Sequence, residues 1–465
     1  MSNSAFEGVN VSPMDEYNQT LVSNVHPPNW VNPQPADCYD LVVIGGGTAG
    51  LVVAAGAAGL GLGLKVALIE KHLLGGDCLN VGCVPSKSII RSSRVVAEMW
   101  QASAYGVHTP SNIEVDFPAV MQRMRRIRAD ISPHDSAERF QKLGVDIFLG
   151  KGRFLGDDTV EVGEDILRFK KAVIATGARA TRLPIEGIEE AGYLTNETVF
   201  SLTQQPQRIA LIGGGPLDCE LAQAFRRLGS EVVIFDLSDR LLNKEDEEAS
   251  DIIQNVFIQE GIRLVLSCQI KRVVKTSEGK TIYFNNNGKE ESINVDEILV
   301  GVGRTPNVEG LNLEAVGVEY DKKQGVIVND YLQTTNPKIY AAGDICLDFK
   351  FTHAADAAAR IVIKNTLFSP FGLGRSKISS LVMPWVTYTD PEIAHVGMYE
   401  QEAKEKGIDF ETIKIALSDV DRAIADSEES GFVKIVHKRG SDEILGATIV
   451  ARHAGEMISE VTAAI

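Results

Sequence analysis

The sequence predicts an α/β protein: two Rossmann-like domains followed by a C-terminal α+β unit. Three observations lead there. A short apolar strand, a Gly-rich turn and a small-residue helix follow one another over residues 40–60. The same succession recurs over residues 208–228. From about residue 381 strand and helix patterns alternate again and read as a third unit.

Asp40–Ile44 has a buried-strand pattern, and Gly45, Gly47 and Gly50 then spell G-x-G-x-x-G. The helix pattern runs to about Leu60 and a second strand, Lys65–Glu70, ends in an acid that can accept a hydrogen bond from a ribose hydroxyl. This strand–turn–helix–strand context is what a dinucleotide fingerprint requires, although a Gly-rich turn without a ligand reads the same way. In the repeat, Arg208–Ile212 is the strand, Gly213–Gly215 open the turn, Cys219–Leu228 is the helix, and Ser230–Asp236 is the strand ending in an acid. Two nucleotide-binding units are therefore expected.

Between and beyond these units the pattern is coarser. A helix is expected from Val84, with Pro85 in its first turn, and another over residues 115–143, whose basic run MQRMRRIR reads as a solvated face. Residues 170–178 return to a buried strand ending in Thr-Gly, and residues 244–260 read as an acidic amphipathic helix. Residues 262–303 alternate like a β meander with an Asn-Asn-Asn-Gly hairpin signal at 285–288.

Composition narrows the class of function. With 63 Asp and Glu against 46 Lys and Arg, the net charge of −17 disfavours nucleic acid and anionic membranes as partners. Leu41–Leu64 is uncharged and long enough to span a bilayer. Its three consecutive glycines at 45–47 and the strand pattern that follows fit a turn in a soluble fold better, so no membrane insertion is expected. Residues 1–36 are polar, rich in Asn, Pro and Ser, and read as a mobile leader without a signal-peptide pattern.

Six cysteines in 465 residues are no disulfide scaffold, and a reducing, cytoplasmic setting is expected. Two of them, Cys78 and Cys83, stand together in LGGDCLNVGCVPSK. A zinc site would need two more ligands, and no other Cys pair or His cluster supplies them, so no metal site is expected. An inert thiol pair stays open. A redox role accounts for more: Gly75, Gly76 and Gly82 let the backbone approach a flat cofactor, Cys83 lies beside a helix start that favours a thiolate, and Lys87 adds positive charge.

VVIGGGTAG, GGDCLNVGCVPSK, IATGA, LIGGGPLDCELA, GVGRTPN, IYAAGD and TYTDPEIAHVG together resemble the pyridine nucleotide-disulfide oxidoreductases, from about residue 40 to the C-terminus. Within that family LGLGLKVALIEKHLLGGDCLNVGCVPSK and FTHAADAAARIVIKNTLF are most similar to the mercuric reductase-like branch, with dihydrolipoamide dehydrogenase and glutathione reductase as relatives. The resemblance implies FAD, bound through Gly45, Gly47, Gly50, Glu70, Gly177 and Asp344, and NADH or NADPH, bound through Gly213, Gly215, Asp236 and Gly303. Asp236 favours a free ribose 2′-hydroxyl and so NADH.

The resemblance also makes Cys83 the thiol that faces the flavin, Cys78 the interchange thiol, and Lys87–Glu220 an ion pair near the flavin's reactive edge. It implies a small disulfide, a dithiol or Hg(II) as substrate and a homodimer. The domains expected on this basis are a disordered leader (1–36), an FAD-binding domain in two parts (37–190 and 308–380), an NAD(P)-binding domain (191–307) and a dimerisation domain (381–465). That last domain is expected to be incomplete, because MISEVTAAI carries no helix stop signal.

Three departures from the family pattern stand out. Asp218 occupies the third-glycine position of the second fingerprint. A charged carboxylate roughly 6 Å from a pyrophosphate at an effective dielectric of about 20 costs about 3 kcal/mol, so weakened nicotinamide binding is expected. Asp77 precedes Cys78 where most relatives have Thr or Val, and a neighbouring carboxylate raises a thiol pKa. None of the eight histidines fits the family's C-terminal His–Glu base. Impaired turnover, with the flavoprotein acting as a redox-sensing or assembly subunit, is therefore the alternative to an active reductase.

Overall fold

In the computed structural model of the chain, residues 9, 11–110, 112–286, 288–369 and 372–465 are described. The first fingerprint folds because its apolar strand is buried on both faces. Val42 and Val43 are fully buried, and Tyr39–Ile44 pairs in parallel with Val66–Glu70 on one side and Asp165–Ile174 on the other. Val43 stands opposite Leu68 and Val173. Val145–Leu149 extends the sheet beyond Val66–Glu70, and Ile339–Ala341 adds in parallel to the far end of Asp165–Ile174. The first half of Asp165–Ile174 instead carries an antiparallel flap, Thr159–Val162 and Gly152–Gly156.

The chain divides into two units rather than consecutive blocks. The first comprises residues 1–85, 121–181 and 304–381; the second comprises residues 86–120, 182–303 and 382–465. The expected block 37–190 is thus divided: residues 86–120 group with the second unit, where Phe117 stacks on Phe225 and Arg94 pairs with Glu392 at 2.8 Å. Residues 182–190 of that block also go with the second unit, while the rest of it falls in the first unit together with the second FAD-assigned part, 308–380.

The second unit is built on four parallel strands in the order Arg263–Val265, Glu231–Phe235, Arg208–Ile212 and Glu297–Val300. The expected meander is confined to Gln269–Thr276, Gly279–Asn286 and Lys289–Val295. Its flanking strands joined the parallel sheet, a distinction that alternation cannot make in short apolar runs. Asn286 stands opposite Lys289 at the hairpin end; residue 287 of the hairpin signal lies outside the described residues. Residues 384–451 form a five-stranded antiparallel sheet, with the helix Ala454–Ala464 packed on it through Ala454 and Ile458.

Three expectations need correction. The described part of the leader is not disordered: Glu16–Val25 is a helix, and Leu21, Val22 and Val25 are fully buried in the core of the first unit. The single helix over 115–143 is two, Phe117–Ile131 and Ala137–Lys142, separated by a 3₁₀ turn at Ser132–Asp135 that contains Pro133. The basic run is only half solvated. Met121 and Met124 are fully buried, and Arg125 and Arg128 are buried with polar partners.

No helix among the described residues is long and apolar enough to cross a membrane. The uncharged stretch from Leu41 is instead strand, turn and the helix Thr48–Ala58.

Candidate active site

The first Gly-rich turn is forced by contact rather than by preference. Gly45 has φ +110°, and a Cβ there would meet the Ala175 carbonyl oxygen at 2.2 Å. A Cβ on Gly50 would lie 1.8 Å from the Gly45 oxygen, so the helix packs on the strand only as glycine. Around Gly47 the nearest atom to such a Cβ is Gly76 Cα at 3.6 Å. Glu70 closes the turn, accepting from Gly46 N at 2.6 Å and His72 N at 2.7 Å. Burial pushes its carboxyl up, against those two donors. This Gly-lined cradle with an acid at its edge fits a dinucleotide such as FAD.

Gly75 and Gly76, both with positive φ, then turn the chain into the short helix Gly76–Asn80, which carries Cys78. Cys83 opens the next helix, Cys83–Gln101, and is exposed where Cys78 is half-buried. The two thiols act on each other, Cys83 being the largest influence on the Cys78 thiol. Thr352, the first residue of the helix Thr352–Leu367, places its hydroxyl 3.2 Å from Cys83 Sγ. A helix N-terminus thus reaches the dithiol from a segment far along the chain, a contact that favours a thiolate.

The Cys78 thiol is pushed up strongly, first by its bond to Cys83, then by burial, with the Asp135 carboxylate adding to the rise. This corrects the sequence expectation in its cause. Asp77 is paired with Arg304, which also approaches Asp344 at 3.4 Å, so its charge is offset. Asp135 was not foreseen, because it lies on the separate turn Ser132–Asp135. Asp77→Thr is therefore expected to leave the pH midpoint of Cys78 alkylation within about 0.3 units, whereas Asp135→Asn lowers it by about half a unit or more. Iodoacetamide trapping across pH, read on the Cys78 peptide, checks both.

In the second unit Lys87 Nζ and Glu220 Oε2 are 2.8 Å apart, as the resemblance implies. Glu220 is 4% exposed, and its other oxygen accepts from Tyr388 N at 3.0 Å. The Tyr388 ring lies under Lys87 Nζ at 4.4 Å. The segment TYTDPE also bonds the neighbouring turns of the helix Pro216–Leu228, which carries Glu220, through Gln223 to Asp390 and Arg227 to Asp390. Tyr388 was missed because its role is set by its backbone N–H and ring face, which no spacing rule records.

The second fingerprint repeats the first. Gly213 has φ +127°, Gly215 precedes the helix Pro216–Leu228, and Asp236 accepts from Gly214 N at 2.5 Å and Ser238 N at 2.6 Å. Asp218 is 1% exposed, and neither carboxyl oxygen has a full hydrogen bond; only the N–H groups of Gly215 and of Asp218 itself are near. It fits because residue 301 is glycine: a Cβ there would lie 1.8 Å from Asp218 Oδ1. Burial and the Asp236 charge push this carboxyl well above the usual carboxylate range. The expected charge repulsion is therefore corrected: burial favours a protonated, neutral Asp218 that fills space.

Gly177 and Gly303 have φ of +64° and +109° with open space where a side chain would go, and Asp344 is half-buried. Among the described residues no group of three or more His, Cys, Asp or Glu could hold a metal ion.

These features meet known proteins at two levels. The model of the pyridine nucleotide-disulphide oxidoreductases matches residues 39–359, and that of their dimerisation domain matches residues 383–465. The chain belongs to the pyridine nucleotide-disulphide oxidoreductases. It is 37% identical to a mercuric reductase of Lysinibacillus sphaericus over 429 residues, covering 92% of this chain and 77% of the relative. It is 32% identical to the dihydrolipoyl dehydrogenase of Bacillus subtilis, covering 91% and 90%. Among solved structures, LpdA from Mycobacterium tuberculosis superposes with a TM-score of 0.82 at 26% identity, covering 91% and 92%. A Cu(II) complex of the flavoprotein disulfide reductase RclA from Escherichia coli gives 0.78 at 25% identity, covering 92% of each chain. The chain is thus a flavin-dependent oxidoreductase by family, with FAD and a nicotinamide nucleotide as the family's cofactors.

Proposed function

We propose that the chain takes a hydride from NAD(P)H and delivers the electron pair to a Cys78–Cys83 disulfide, and from there to a small disulfide or to Hg(II). The observation that carries this reading is the thiol pair itself, in which Cys83 is the largest influence on Cys78 and is met by the Thr352 hydroxyl at a helix N-terminus. FAD would be held by Gly45, Gly47, Gly50, Glu70, Gly177 and Asp344, and the nicotinamide nucleotide by Gly213, Gly215, Asp236 and Gly303. When bound, the flavin supplies the two-electron relay between nicotinamide and sulfur.

The chain's own residues do the rest. Cys83, at a helix start and beside a hydroxyl, is suited to hold the thiolate. Cys78, kept protonated by its surroundings, is suited to attack substrate only once a base removes its proton. The dithiol reduces RSSR to two RSH as the Cys78–Cys83 bond re-forms, so each turnover moves two electrons and two protons. Lys87 and Glu220 form an ion pair within the second unit, with the Glu220 carboxylate buried. Soft thiolates suit Hg(II), and similarity to mercuric reductases supports that substrate. Similarity to dihydrolipoyl dehydrogenase supports a second reading, oxidation of a dithiol with NAD⁺ as acceptor.

Asp236, at the end of the second fingerprint's strand, favours NADH over the 2′-phosphate of NADPH. A homodimer through residues 383–465 and a cytoplasmic location complete the reading.

An anaerobic absorbance titration with NADH tests it, with dithionite as the control reductant. Growth of the long-wavelength thiolate-to-flavin band with NADH is the expected result. A band with dithionite alone would place the fault in the second nucleotide site. No band with either would sink the reading of Cys78 and Cys83.

A further inference from the structure

The helix Glu16–Val25 lies outside the matched family domain, which begins at residue 39. It forms because Asp15 caps it, accepting from Asn18 N at 2.9 Å, and because Leu21, Val22 and Val25 bury an apolar face. That face shares a core with Leu73, Leu74 and Leu79, the residues that flank and enter the Cys78 turn.

Polar contacts join the same two segments. Arg128 is 5% exposed and uses two arms of its guanidinium. Nη2 donates to Asn18 Oδ1 at 2.6 Å, and Nη1 donates to the Asn80 carbonyl at 2.6 Å. That carbonyl belongs to the last residue of Gly76–Asn80, where a helix has no partner of its own for it. The Asn80 side chain in turn donates to Leu74 O at 3.0 Å and Gly76 O at 2.8 Å, tying the turn shut. At the turn's start, Leu74 N donates to Val25 O at 3.1 Å, and the His26 ring bonds the His72 carbonyl. The segment 72–80 is therefore held from the N-terminal helix at both ends.

We propose that Asn18 and Arg128 are positioning residues for the redox pair: through Asn80 they hold the Gly76–Asn80 turn so that Cys78 stays within bonding reach of Cys83. The proposal rests on the reading of Cys78–Cys83 as a redox dithiol. Disulfide closure within one chain scales with the effective concentration of one thiol at the other. Loosening the turn lowers that concentration, makes the disulfide form less readily, and leaves the couple more oxidising. Asn18→Ala loosens it by removing one of the two acceptors of Arg128 while leaving the guanidinium itself in place.

The test equilibrates the full chain with glutathione buffers, in which two glutathione thiols and the Cys78–Cys83 disulfide exchange for oxidised glutathione and two protein thiols. Thiols are trapped by alkylation and the peptide carrying both cysteines is weighed. Asn18→Ala is expected to shift the midpoint about tenfold toward the dithiol, about 30 mV for this two-electron couple. Thr20→Ala is the control: it lies exposed on the same helix and removes only a bond to the Glu16 carbonyl, so its midpoint stays within about twofold of wild type.

A wild-type midpoint in Asn18→Ala, or an equal shift in Thr20→Ala, would overturn the proposal. If Asn18→Ala does not fold, Arg128→Lys gives the same reading, since it keeps the charge but cannot span both oxygens; an unshifted midpoint there also overturns it. A wild-type chain that forms no Cys78–Cys83 disulfide at any glutathione ratio would overturn the redox reading itself and the brace with it.

Discussion

Cys83→Ser is expected to remove NADH-driven reduction of a disulfide acceptor almost completely, by about 10³-fold or more in kcat/KM. The serine hydroxyl keeps the contact to Thr352, which lies 3.2 Å from the thiol it replaces. The turn is held by Asn80 and Arg128, not by Cys83, so folding and flavin content should not change. What is lost is the second sulfur: without it no disulfide can store the electron pair. Steady-state kinetics, together with the flavin absorbance of the purified variant, separate the two effects. A residual rate within about tenfold of wild type would show that electrons reach the acceptor by another route.

The second large effect is expected at Gly301. Gly301→Ala would place a methyl 1.8 Å from Asp218 Oδ1, in a region where the Gly213 turn also closes on the Gly301 backbone. Overpacking of this kind costs about 1–3 kcal/mol, and with rigid backbone on one side and a buried carboxyl on the other the upper end applies. Asp218→Gly in the same chain removes the obstacle, and most of the loss should return. The cycle is then strongly non-additive, with a coupling of about 2 kcal/mol. Denaturant unfolding of the four proteins, followed by NADH affinity, measures it; additive losses would mean that Asp218 does not occupy the space under Gly301.

A pH dependence follows with a definite sign. The folded-state pKa of Asp218 is raised, so its contribution is fully present below the unfolded value of about 4. Stability falls as pH rises through the window between that value and the folded one, where the unfolded chain has already released the proton. Asp218→Gly should lose this slope.

Much of this was legible from residue order alone. Gly45, Gly50 and Gly213 announced themselves because a turn that tolerates only glycine must be written with glycine. The strands around them carried an apolar signal strong enough to place Glu70 and Asp236 at their ends. Lys87 and Glu220 were paired only through family resemblance, and the geometry brings them to 2.8 Å.

What escaped was tertiary. Arg125 and Arg128 sit in a run that reads as solvent-facing, and it is contacts to Asp15, Asn18 and Asn80 that make their burial tolerable. Thr352 and Asp135 reach the cysteines from distant segments. The neutral state favoured for Asp218 depends on the hole at Gly301, 83 positions beyond the motif that contains it.

The strand Ile339–Ala341 completes the first parallel sheet against Ala172–Ile174, with the whole second fingerprint intervening in sequence. During synthesis the edge formed by Ala172–Ile174 thus emerges long before its partner. At roughly 5–20 residues per second, that edge waits on the order of ten seconds or more as an unpaired apolar template. Such edges recruit other strands. Yield in a fast-translating host should therefore depend on holdase chaperones and on growth temperature more than on the stability of the finished protein. Slowing elongation over residues 175–340 would lengthen the hazard rather than relieve it.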